Sequence, residues 1–551
     1  MKVPFLISCL FLASLSFTGC KPAESVTGYL AIDEPLKYDF RGVWFTSVVN
    51  LDWPVSNRQT VDEQKADAIF MLDSLKSIGI NAVLFQVRPE SDALYASSYD
   101  PWSFWLTGEQ GRAPDPFFDP LSFMIREAHK RGMELHAWLN PYRVERRKDS
   151  YPLAGSNVSR REPDWIMEFQ SRPDEFYTML DPGLPQVRDY VTNVVVDIIR
   201  RYPLDGIHFD DYFYPYAAMT DEDSLTFLAH PNGFEVIEDW RRDNVNRLMS
   251  QIHDSIQAVA PHVVFGISPF AVRKNTDAGT NAFEGYYSLY ADGLAWLEER
   301  VIDYINPQLY FEPGHERADY VPLLEFWSRV ARENERYMYA GLAPYRLGMP
   351  HDWSLDQAAH QLRLNLSNGY VQGNIFFRTR NLMDNMKGYS SLLKNELYRY
   401  PALTPPMAWK CQLAPPPVEE LAASWSDDGR VILTWKRGLH TREAEAPPDI
   451  PHDEEAIMLE DDSEHPAETA RFAIYRLGDD AAMHDLPNLL SDPRNMVAVT
   501  GQTRFVETWP AGQADLRFAV TAVSHNSIES EPVTIRIRRE GDVVSFETEP
   551  K

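Results

Sequence analysis

The sequence predicts a (β/α)8 barrel followed by a small all-β domain, and three observations favour this α/β architecture. Between residues 40 and 400, short β-like runs alternate with amphipathic helical segments, which is the pattern of such a barrel. No GxGxxG follows the first strand, so a doubly wound sheet is the weaker alternative. After residue 420, short alternating strands are divided by turn residues, as a β-sandwich requires.

Eight strand candidates and several helical segments make up the predicted barrel, residues 40–400. The helical segments include residues 61–79, 187–202 and 239–260. The strand candidates are GVWFTSV (42–48), NAVLFQVR (81–88), ELHAWLNPYR (134–143), GIHFDDYF (206–213), VVFGISPF (263–270), DYINPQLYF (303–311), YMYAGLAPY (337–345) and GNIFFRT (373–379). The Pro-rich residues 401–420 are predicted to form a linker, and residues 421–551 the β-sandwich.

The N-terminus resembles a bacterial lipoprotein signal. Lys2 precedes an apolar stretch that ends in Gly19 and Cys20, which predicts a signal peptide over residues 1–19 and a lipid on Cys20. An ordinary cleaved signal peptide is the alternative. Residues 20–39 would tether the barrel to the membrane. The Lys-Pro-Ala-Glu that follows Cys20 lacks a strong acidic signal, which favours the periplasmic face of the outer membrane over the cell surface.

Charge and motif content exclude several function classes. The formal net charge of -28 argues against nucleic acid or an anionic membrane surface as a partner. No CxxC pair, HExxH, Walker-type loop or GxSxG is present, so we predict no metal site and no cofactor. An acidic, Pro-rich loop at residues 443–468 could bind calcium, but it lacks a regular ligand spacing and is more typical of a solvated loop.

Polar side chains recur at the inward-facing positions near the strand ends, where barrel enzymes place their chemistry. A purely structural barrel would fill these positions with Val, Ile and Leu. Aromatic rings stack on sugar faces and amide, Arg and His groups bond hydroxyls, so we predict a carbohydrate site. The candidate substrate-binding residues are Arg88, His136, Trp138, Asn140, Arg143, His208, Tyr212, Gln308, Tyr310 and Arg378.

Two adjacent carboxylates in DGIHFDDYFYP, residues 205–215, are the leading catalytic candidates. On strand parity Asp210 projects into the barrel mouth and would act as nucleophile, base or charge stabiliser. Asp211 faces the other way and caps a loop or orients a neighbour; both could instead cap the loop that follows. A pair of carboxyl groups is the usual equipment for cleaving a glycosidic bond, and the acid could be Glu312, a member of the Glu90–Asp92 pair or Asp181.

Taken together, RGVWFTSV, VLFQVRPESDALY, PWSFWLTGEQG, ELHAWLNPYRV, DGIHFDDYFYP, GISPF, DYINPQLYF and GLAPYRLG resemble the family-10-like glycosyl hydrolases of bacterial lipoproteins. The resemblance covers residues 40 to about 400 and implies a barrel that acts on carbohydrate. One enteric-bacterial member cleaves peptidoglycan glycan strands that have lost their stem peptides. The C-terminal region resembles a fibronectin type III domain.

The resemblance also assigns roles residue by residue. Asp210 and Asp211 match the paired Asp of the fourth strand, and Asp92 matches the acidic position after the second. The third-strand motif is matched by His136, Asn140 and Arg143. At the sixth strand the chain departs from the family's usual Tyr-Trp, because Phe311-Glu312 stands there.

Three functions follow as hypotheses. The first is a lipid-anchored glycoside hydrolase of the cell envelope whose substrate is peptidoglycan glycan. The second keeps this chemistry and changes the substrate to a dietary, host or capsular polysaccharide. The third is a carbohydrate-binding envelope protein without catalysis. For a hydrolase, carboxyl groups about 5 Å apart predict retention of anomeric configuration, and roughly 6.5–9.5 Å predicts inversion.

Overall fold

The computed structural model describes residues 35–439, 468–478, 485–510, 513, 515–540 and 543–549. Eight parallel strands close into a barrel in the order β1-β2-β3-β7-β8-β9-β10-β11, with β11 pairing back to β1. This confirms the predicted fold class. The strands up to residue 376 are β1 (Phe40–Phe45), β2 (Ala82–Arg88), β3 (Glu134–Leu139), β4 (Arg143–Glu145), β5 (Ile166–Arg172), β6 (Glu175–Leu180), β7 (Gly206–Phe209), β8 (Val264–Ile267), β9 (Tyr304–Ile305), β10 (Tyr337–Leu342) and β11 (Gly373–Phe376).

Seven of the eight barrel strands end before the last residue of the run predicted for them, and only β2 reaches its predicted end. The run predicted over 206–213 is a strand only for Gly206–Phe209, and the rest forms the loop at the barrel mouth. These loops remain rich in aromatic residues because they build the walls of a cavity, so composition did not mark where each strand stops. The loop after β3 also contains an antiparallel sheet, β4-β6-β5, that the sequence analysis did not predict.

Helices surround the barrel and pack their apolar faces against its outer side. The segments predicted at 61–79, 187–202 and 239–260 correspond to α1, α5 and α7. Thr60 and Glu63 form a reciprocal capping box at the start of α1. The helices are α1 (Val61–Ser77), α2 (Phe104–Thr107), α3 (Pro120–Lys130), α4 (Val158–Arg161), α5 (Pro185–Arg201), α6 (Ser224–Ala229), α7 (Ile237–Val259), α8 (Asn275–Ala278), α9 (Gly285–Ser288), α10 (Gly293–Glu298), α11 (Tyr320–Glu333), α12 (Leu355–Ser367), α13 (Thr379–Met383), α14 (Tyr389–Leu392) and, in the C-terminal domain, α15 (Leu486–Ser491).

The C-terminal domain is a β-sandwich of two antiparallel sheets, ordered β12-β13-β16 and β15-β14-β17-β18-β19. Their facing sides enclose an apolar core that includes Leu433, Phe472 and Phe518. The strands are β12 (Glu419–Trp425), β13 (Arg430–Lys436), β14 (Thr469–Leu477), β15 (Met496–Thr500), β16 (Arg504–Thr508), β17 (Asp515–Ser524), β18 (Val533–Glu540) and β19 (Val543–Glu549).

The segment predicted as a linker is packed between the two domains. Trp409 Nε1 donates to Asp303 Oδ1 at 2.7 Å on the barrel side, and the Met407 amide donates to Asn526 Oδ1 at 2.8 Å on the sandwich side. Leu403 is buried and bridges to Tyr38. Pro-rich composition indicated an extended chain correctly, but it carried no signal that the segment is docked.

The sandwich covers the N-terminal ends of the barrel strands. Glu134, the first residue of β3, forms a buried ion pair of 2.7 Å with Arg471 of β14. Asp205, just before β7, is bonded by His129 of the barrel at 2.7 Å and by His525 of the sandwich at 3.2 Å. The opposite, C-terminal end of the barrel is therefore the end left for a ligand.

Several predictions fall outside the described residues: the signal peptide, Cys20 and most of the tether before residue 35, and the acidic loop at 443–468 apart from its last residue. Among the helices that the structure describes, none is long and apolar enough to span a membrane. In the same described part of the chain, no group of three or more His, Cys, Asp or Glu side chains is arranged to hold a metal ion.

Candidate active site

A cavity of about 460 Å³ opens at the C-terminal ends of the barrel strands. Its polar lining comes from six barrel strands or the loops that follow them, namely β1, β2, β3, β7, β8 and β9. Among the described residues its only acidic side chains are Asp210 and Asp211. The other polar and charged lining residues are Thr46, Gln86, Arg143, Arg146, Ser268 and Gln308, and the aromatic ones are Trp44, Trp138, Tyr212, Tyr216, Tyr310 and Phe377.

Asp210 follows the last residue of β7 and is buried at the floor of the cavity. Its Oδ2 accepts hydrogen bonds from Asn140 Nδ2 and, at 3.2 Å, from Trp138 Nε1. Its Oδ1 accepts from the Tyr212 amide at 3.3 Å. Three N–H donors orient this carboxyl group, as is required of a group that must meet a substrate atom in one geometry.

Asp211 lines the same cavity, contrary to the expectation that it faces away. Strand alternation ends with β7 at Phe209, so parity does not determine the direction of side chains two residues later. The Asp211 carboxylate accepts a hydrogen bond from the Tyr216 hydroxyl and one from the Gln308 side chain. It is as buried as Asp210, and the two carboxyl groups form one pair.

Burial and mutual repulsion act on the proton affinity of this pair. Burial, followed by the Asp211 charge, raises the pKa of Asp210 to about 7, although Arg143 opposes the shift. Burial also raises the pKa of Asp211. Each carboxyl group is thus biased toward its protonated form, and the charge of Asp211 opposes ionisation of Asp210.

A chain of amide groups on neighbouring strands positions Asp210. The Ser47 and Val48 amides each donate to Gln86 Oε1 at 3.0 Å. Because Gln86 Oε1 is the acceptor, its Nε2 faces Asn140 Oδ1 at 2.7 Å, and Asn140 Nδ2 is left to bond Asp210. Each amide has one orientation that satisfies both neighbours, so the loop after β1 determines the donor offered to Asp210.

His208 lies beneath the cavity as part of the barrel interior. Trp44 Nε1 can only donate, so His208 Nε2, 3.2 Å away, is the acceptor and Nδ1 carries the proton. That proton faces the Tyr304 hydroxyl at 3.0 Å. Burial holds the pKa of His208 well below its usual range. His208 is therefore a neutral support for Trp44, and Gly266 leaves the space that the Tyr304 ring occupies.

Aromatic side chains form the walls around the pair. Tyr212 is 40% exposed and its ring lies beside that of Tyr216, with centroids 5.6 Å apart. Phe377 and Tyr310 stand 6.2 Å apart on the β11 and β9 sides. Ring faces of this kind accept the apolar faces of sugars, while the Gln308 side chain is held by a 3.0 Å bond to the Ser268 carbonyl and by its bond to Asp211.

Arg88 lies away from the cavity, and its predicted role in substrate binding is corrected. A bulge in β2 shifts the pairing so that Gln86 stands opposite Trp138 but Arg88 stands opposite Leu139. This turns Arg88 into the layer between barrel and helices. There it is fully buried and its Nε bonds Asp100 Oδ2 at 2.7 Å.

Several other predicted site residues also lie outside the cavity. His136 is in the lower barrel interior and bonds Tyr304 at 3.0 Å. Asp92 is buried beside Glu90, and burial raises the pKa of Asp92 to about 7. Glu312 is a half-buried residue that accepts from Gln357 at 2.9 Å. Arg378 bonds Asp52 Oδ1 at 2.8 Å. None of these four side chains lines the cavity.

Five of the predicted substrate-binding residues do line the cavity: Trp138, Arg143, Tyr212, Gln308 and Tyr310. Asn140 does not line the cavity, but it donates a hydrogen bond to Asp210, which does. Sequence reasoning did not select Trp44, although an aromatic residue at an inward position near the end of β1 was a usable signal. It also missed Tyr216 and Phe377, which lie in loops beyond the strand ends, where strand periodicity gives no guide.

Comparison with known proteins agrees with this geometry. Residues 39–358 match the model of the glycosyl hydrolase-like 10 family. Glycosyl hydrolase YngK of Bacillus subtilis (strain 168) is 39% identical over 390 residues, which cover 68% of this chain and 75% of that protein. Glycosyl hydrolase DigH of Escherichia coli (strain K12) is 36% identical over 417 residues, covering 69% and 92%. The chain belongs to the glycosyl hydrolase-like 10 family and is a glycoside hydrolase, as its sequence predicted.

Proposed function

We propose that the protein is a lipid-anchored enzyme of the cell envelope that hydrolyses peptidoglycan glycan strands. The observation that carries the catalytic part is the Asp210–Asp211 pair, buried at the floor of an aromatic-lined cavity. The substrate is supported by the resemblance to a family with a member that cleaves such strands. The anchor is supported by the FTGC sequence ending at Cys20.

The pair supplies both groups that the hydrolysis of a glycosidic bond needs. The protonated member donates its proton to the glycosidic oxygen as the bond to the anomeric carbon breaks. The ionised member stabilises the positive charge that develops on the sugar ring, either directly or through the attacking water. Asn140 and Trp138 hold Asp210 in place, and Tyr216 holds Asp211. Walls of Trp44, Tyr212 and Tyr310 exclude water from the ring.

The C-terminal β-sandwich, which we take to be fibronectin type III-like, serves as a spacer and a support. It binds the end of the barrel opposite the cavity, through Glu134 and Asp205. The predicted tether, residues 20–39, would keep the enzyme attached to the envelope while it acts on the polymer.

The test uses purified peptidoglycan, both intact and stripped of stem peptides. The protein, its Asp210→Asn variant and its Asp211→Asn variant are incubated with each substrate, and released sugars are measured by mass spectrometry. We expect fragments from stripped strands and a loss of at least about a thousandfold in kcat for Asp210→Asn, in the range of removing one catalytic group. Arg147→Gln, an exposed change outside the cavity, is the matched control.

Three results would contradict the proposal. Equal activity of the parent and the Asp210→Asn variant would remove the pair from catalysis. Cleavage of plant or capsular polysaccharides with none of stripped peptidoglycan would move the substrate to the second hypothesis. Recovery of the parent in the soluble fraction, at the same yield as a Cys20→Ser protein, would remove the lipid anchor. This result would leave the catalytic part of the proposal unchanged.

A further inference from the structure

A second cavity of about 310 Å³ adjoins the first, over the β4-β6-β5 sheet. Four residues line both cavities: Arg143, Arg146, Tyr212 and Tyr216. The second cavity adds Tyr177 and Met179 of β6, among others. The two cavities therefore form one groove that leads from the Asp210–Asp211 pair to the inserted sheet, with two guanidinium groups at the junction.

The two arginines differ in how far their charge is already used. Arg143 is about nine-tenths buried, donates from Nε to the Pro89 carbonyl at 2.9 Å, and lies 4.8 Å above the Tyr212 ring. Its charge also opposes the rise in the pKa of Asp210. Within the described residues its two Nη atoms make no hydrogen bond, so a buried cation at the junction keeps free donors.

Arg146 has no ion-pair partner among the described residues. Its backbone amide bonds Glu90 Oε1, but the Glu90 carboxylate is occupied further by Trp105 Nε1 at 2.7 Å and by the Tyr151 hydroxyl at 3.1 Å. The guanidinium of Arg146 is exposed at the groove. The chain has a net charge of -28, so two arginines with free donors beside the cavity are unusual and point to an anionic group in the ligand.

We propose that this junction is a subsite for a carboxylated sugar next to the bond that is cleaved. A guanidinium fork pairs with a carboxylate in a planar, two-bond geometry that a hydroxyl group cannot reproduce. The Tyr212 ring would carry the apolar face of the same sugar. Resting on the proposed function, the carboxylate is the lactyl group of a glycan strand, which is an amide while a stem peptide is attached and a free anion after its removal. The subsite would thus select stripped strands by charge.

The experiment measures binding by calorimetry, using the full-length protein in mild detergent and carrying Asp210→Asn so that ligands stay intact. The probes are short stripped glycan fragments and the same fragments with each lactyl carboxylate converted to a methylamide. We expect the free acid to bind at least about tenfold more tightly, a typical effect of one charge-assisted hydrogen bond, and to lose this advantage in high salt.

Adding Arg146→Gln should reduce the ratio of the two affinities to about threefold or less. Arg147→Gln should leave the ratio unchanged, because Arg147 lies one residue along and lines neither cavity. Equal binding of acid and methylamide by the parent would overturn the proposal. An unchanged ratio in the Arg146→Gln protein would overturn it as well.

Two further arms separate this inference from the proposed function. Oligogalacturonides that bind more tightly than the glycan fragments would assign the carboxylate to a uronic acid and overturn the lactyl assignment. Hydrolysis of stripped strands by the unsubstituted enzyme is measured separately. Hydrolysis without a preference for the free acid would reject the subsite and keep the proposed function. A preference without hydrolysis would keep carboxylate recognition and reject the proposed substrate.

Discussion

Asp210 shows at the scale of one residue how a buried carboxyl group opposes the stability of the fold. Its pKa is raised from 3.8 to about 7 because burial and Asp211 disfavour the charged form. Between about pH 4 and 7 the folded protein therefore holds a proton that the unfolded chain has released. The free energy of unfolding falls as pH rises through this window, since the folded state then binds more protons than the unfolded state.

We expect the Asp210→Asn variant to be more stable than the parent at pH 8, by about 2–4 kcal/mol, because it cannot place a second charge beside Asp211. At pH 5 Asp210 is protonated in the folded parent, so the difference should be small. Urea unfolding at the two pH values measures both quantities. A variant that is less stable than the parent at pH 8 would contradict the assigned cause.

Strand β2 shows at the scale of an element how a single bulge changes the role of a side chain. Gln86 keeps the inward direction and supports Asn140, while Arg88, two residues later, turns outward to Asp100. Arg88 also donates to the carbonyls of Asn140 and Pro141 at 2.8 and 3.1 Å. Because of the bulge, Arg88 holds the loop that contains Asn140, the residue that donates to Asp210.

Breaking this buried pair on one side should be costly. Arg88→Met leaves Asp100 buried without its cation, and we expect a loss of about 3–5 kcal/mol in the free energy of unfolding. Arg88→Met combined with Asp100→Asn removes both charges and should lose clearly less. Chemical unfolding of the parent and the two variants makes the comparison. A smaller loss in the single variant than in the double one would mean that Arg88 does not act through Asp100.

At the scale of the whole molecule, the sandwich and barrel share buried charged groups. The carboxylate of Glu134 accepts hydrogen bonds from Arg471 and Thr404, and Ser527 joins the same cluster. Burial of ion pairs couples the two domains, because separating them leaves charges without partners. The cavity lies at the other end of the barrel, so this coupling concerns stability more than the reaction.

We expect the protein to unfold in one calorimetric transition and its Arg471→Glu variant in two, because like charges would then face each other at the interface. Below the first transition the variant should keep the kcat of the parent. Arg504→Glu, the same charge change at an exposed position of β16, is the control and should preserve the single transition. Two transitions in the parent would show that the interface does not couple the domains.

The sequence was sufficient for the architecture and for the residue types of the site. Alternation of strands and helices predicted the barrel, because each strand must bury its apolar residues against a helix layer. The DGIHFDDYFYP segment marked Asp210 because two adjacent carboxylates after an apolar run repel each other and are costly to bury. Trp138, Arg143, Tyr212, Gln308 and Tyr310 were also selected correctly as cavity-lining residues.

Only the tertiary structure decided which polar residues meet. Strand alternation predicts that Arg88 and His136 point inward, as Gln86 and Trp138 do. A bulge instead turns Arg88 away from the cavity, and His136 lies too deep in the barrel to line it. Strand alternation also predicted wrongly that Asp211 faces away from the cavity, because alternation does not extend into the loop that follows the strand. By itself, the sequence determined a glycoside hydrolase barrel with a carboxylate near the end of its fourth strand. The pairing of Asp210 with Asp211, and the arginine groove beside them, depend on distances between segments far apart in the chain, which local residue patterns do not encode.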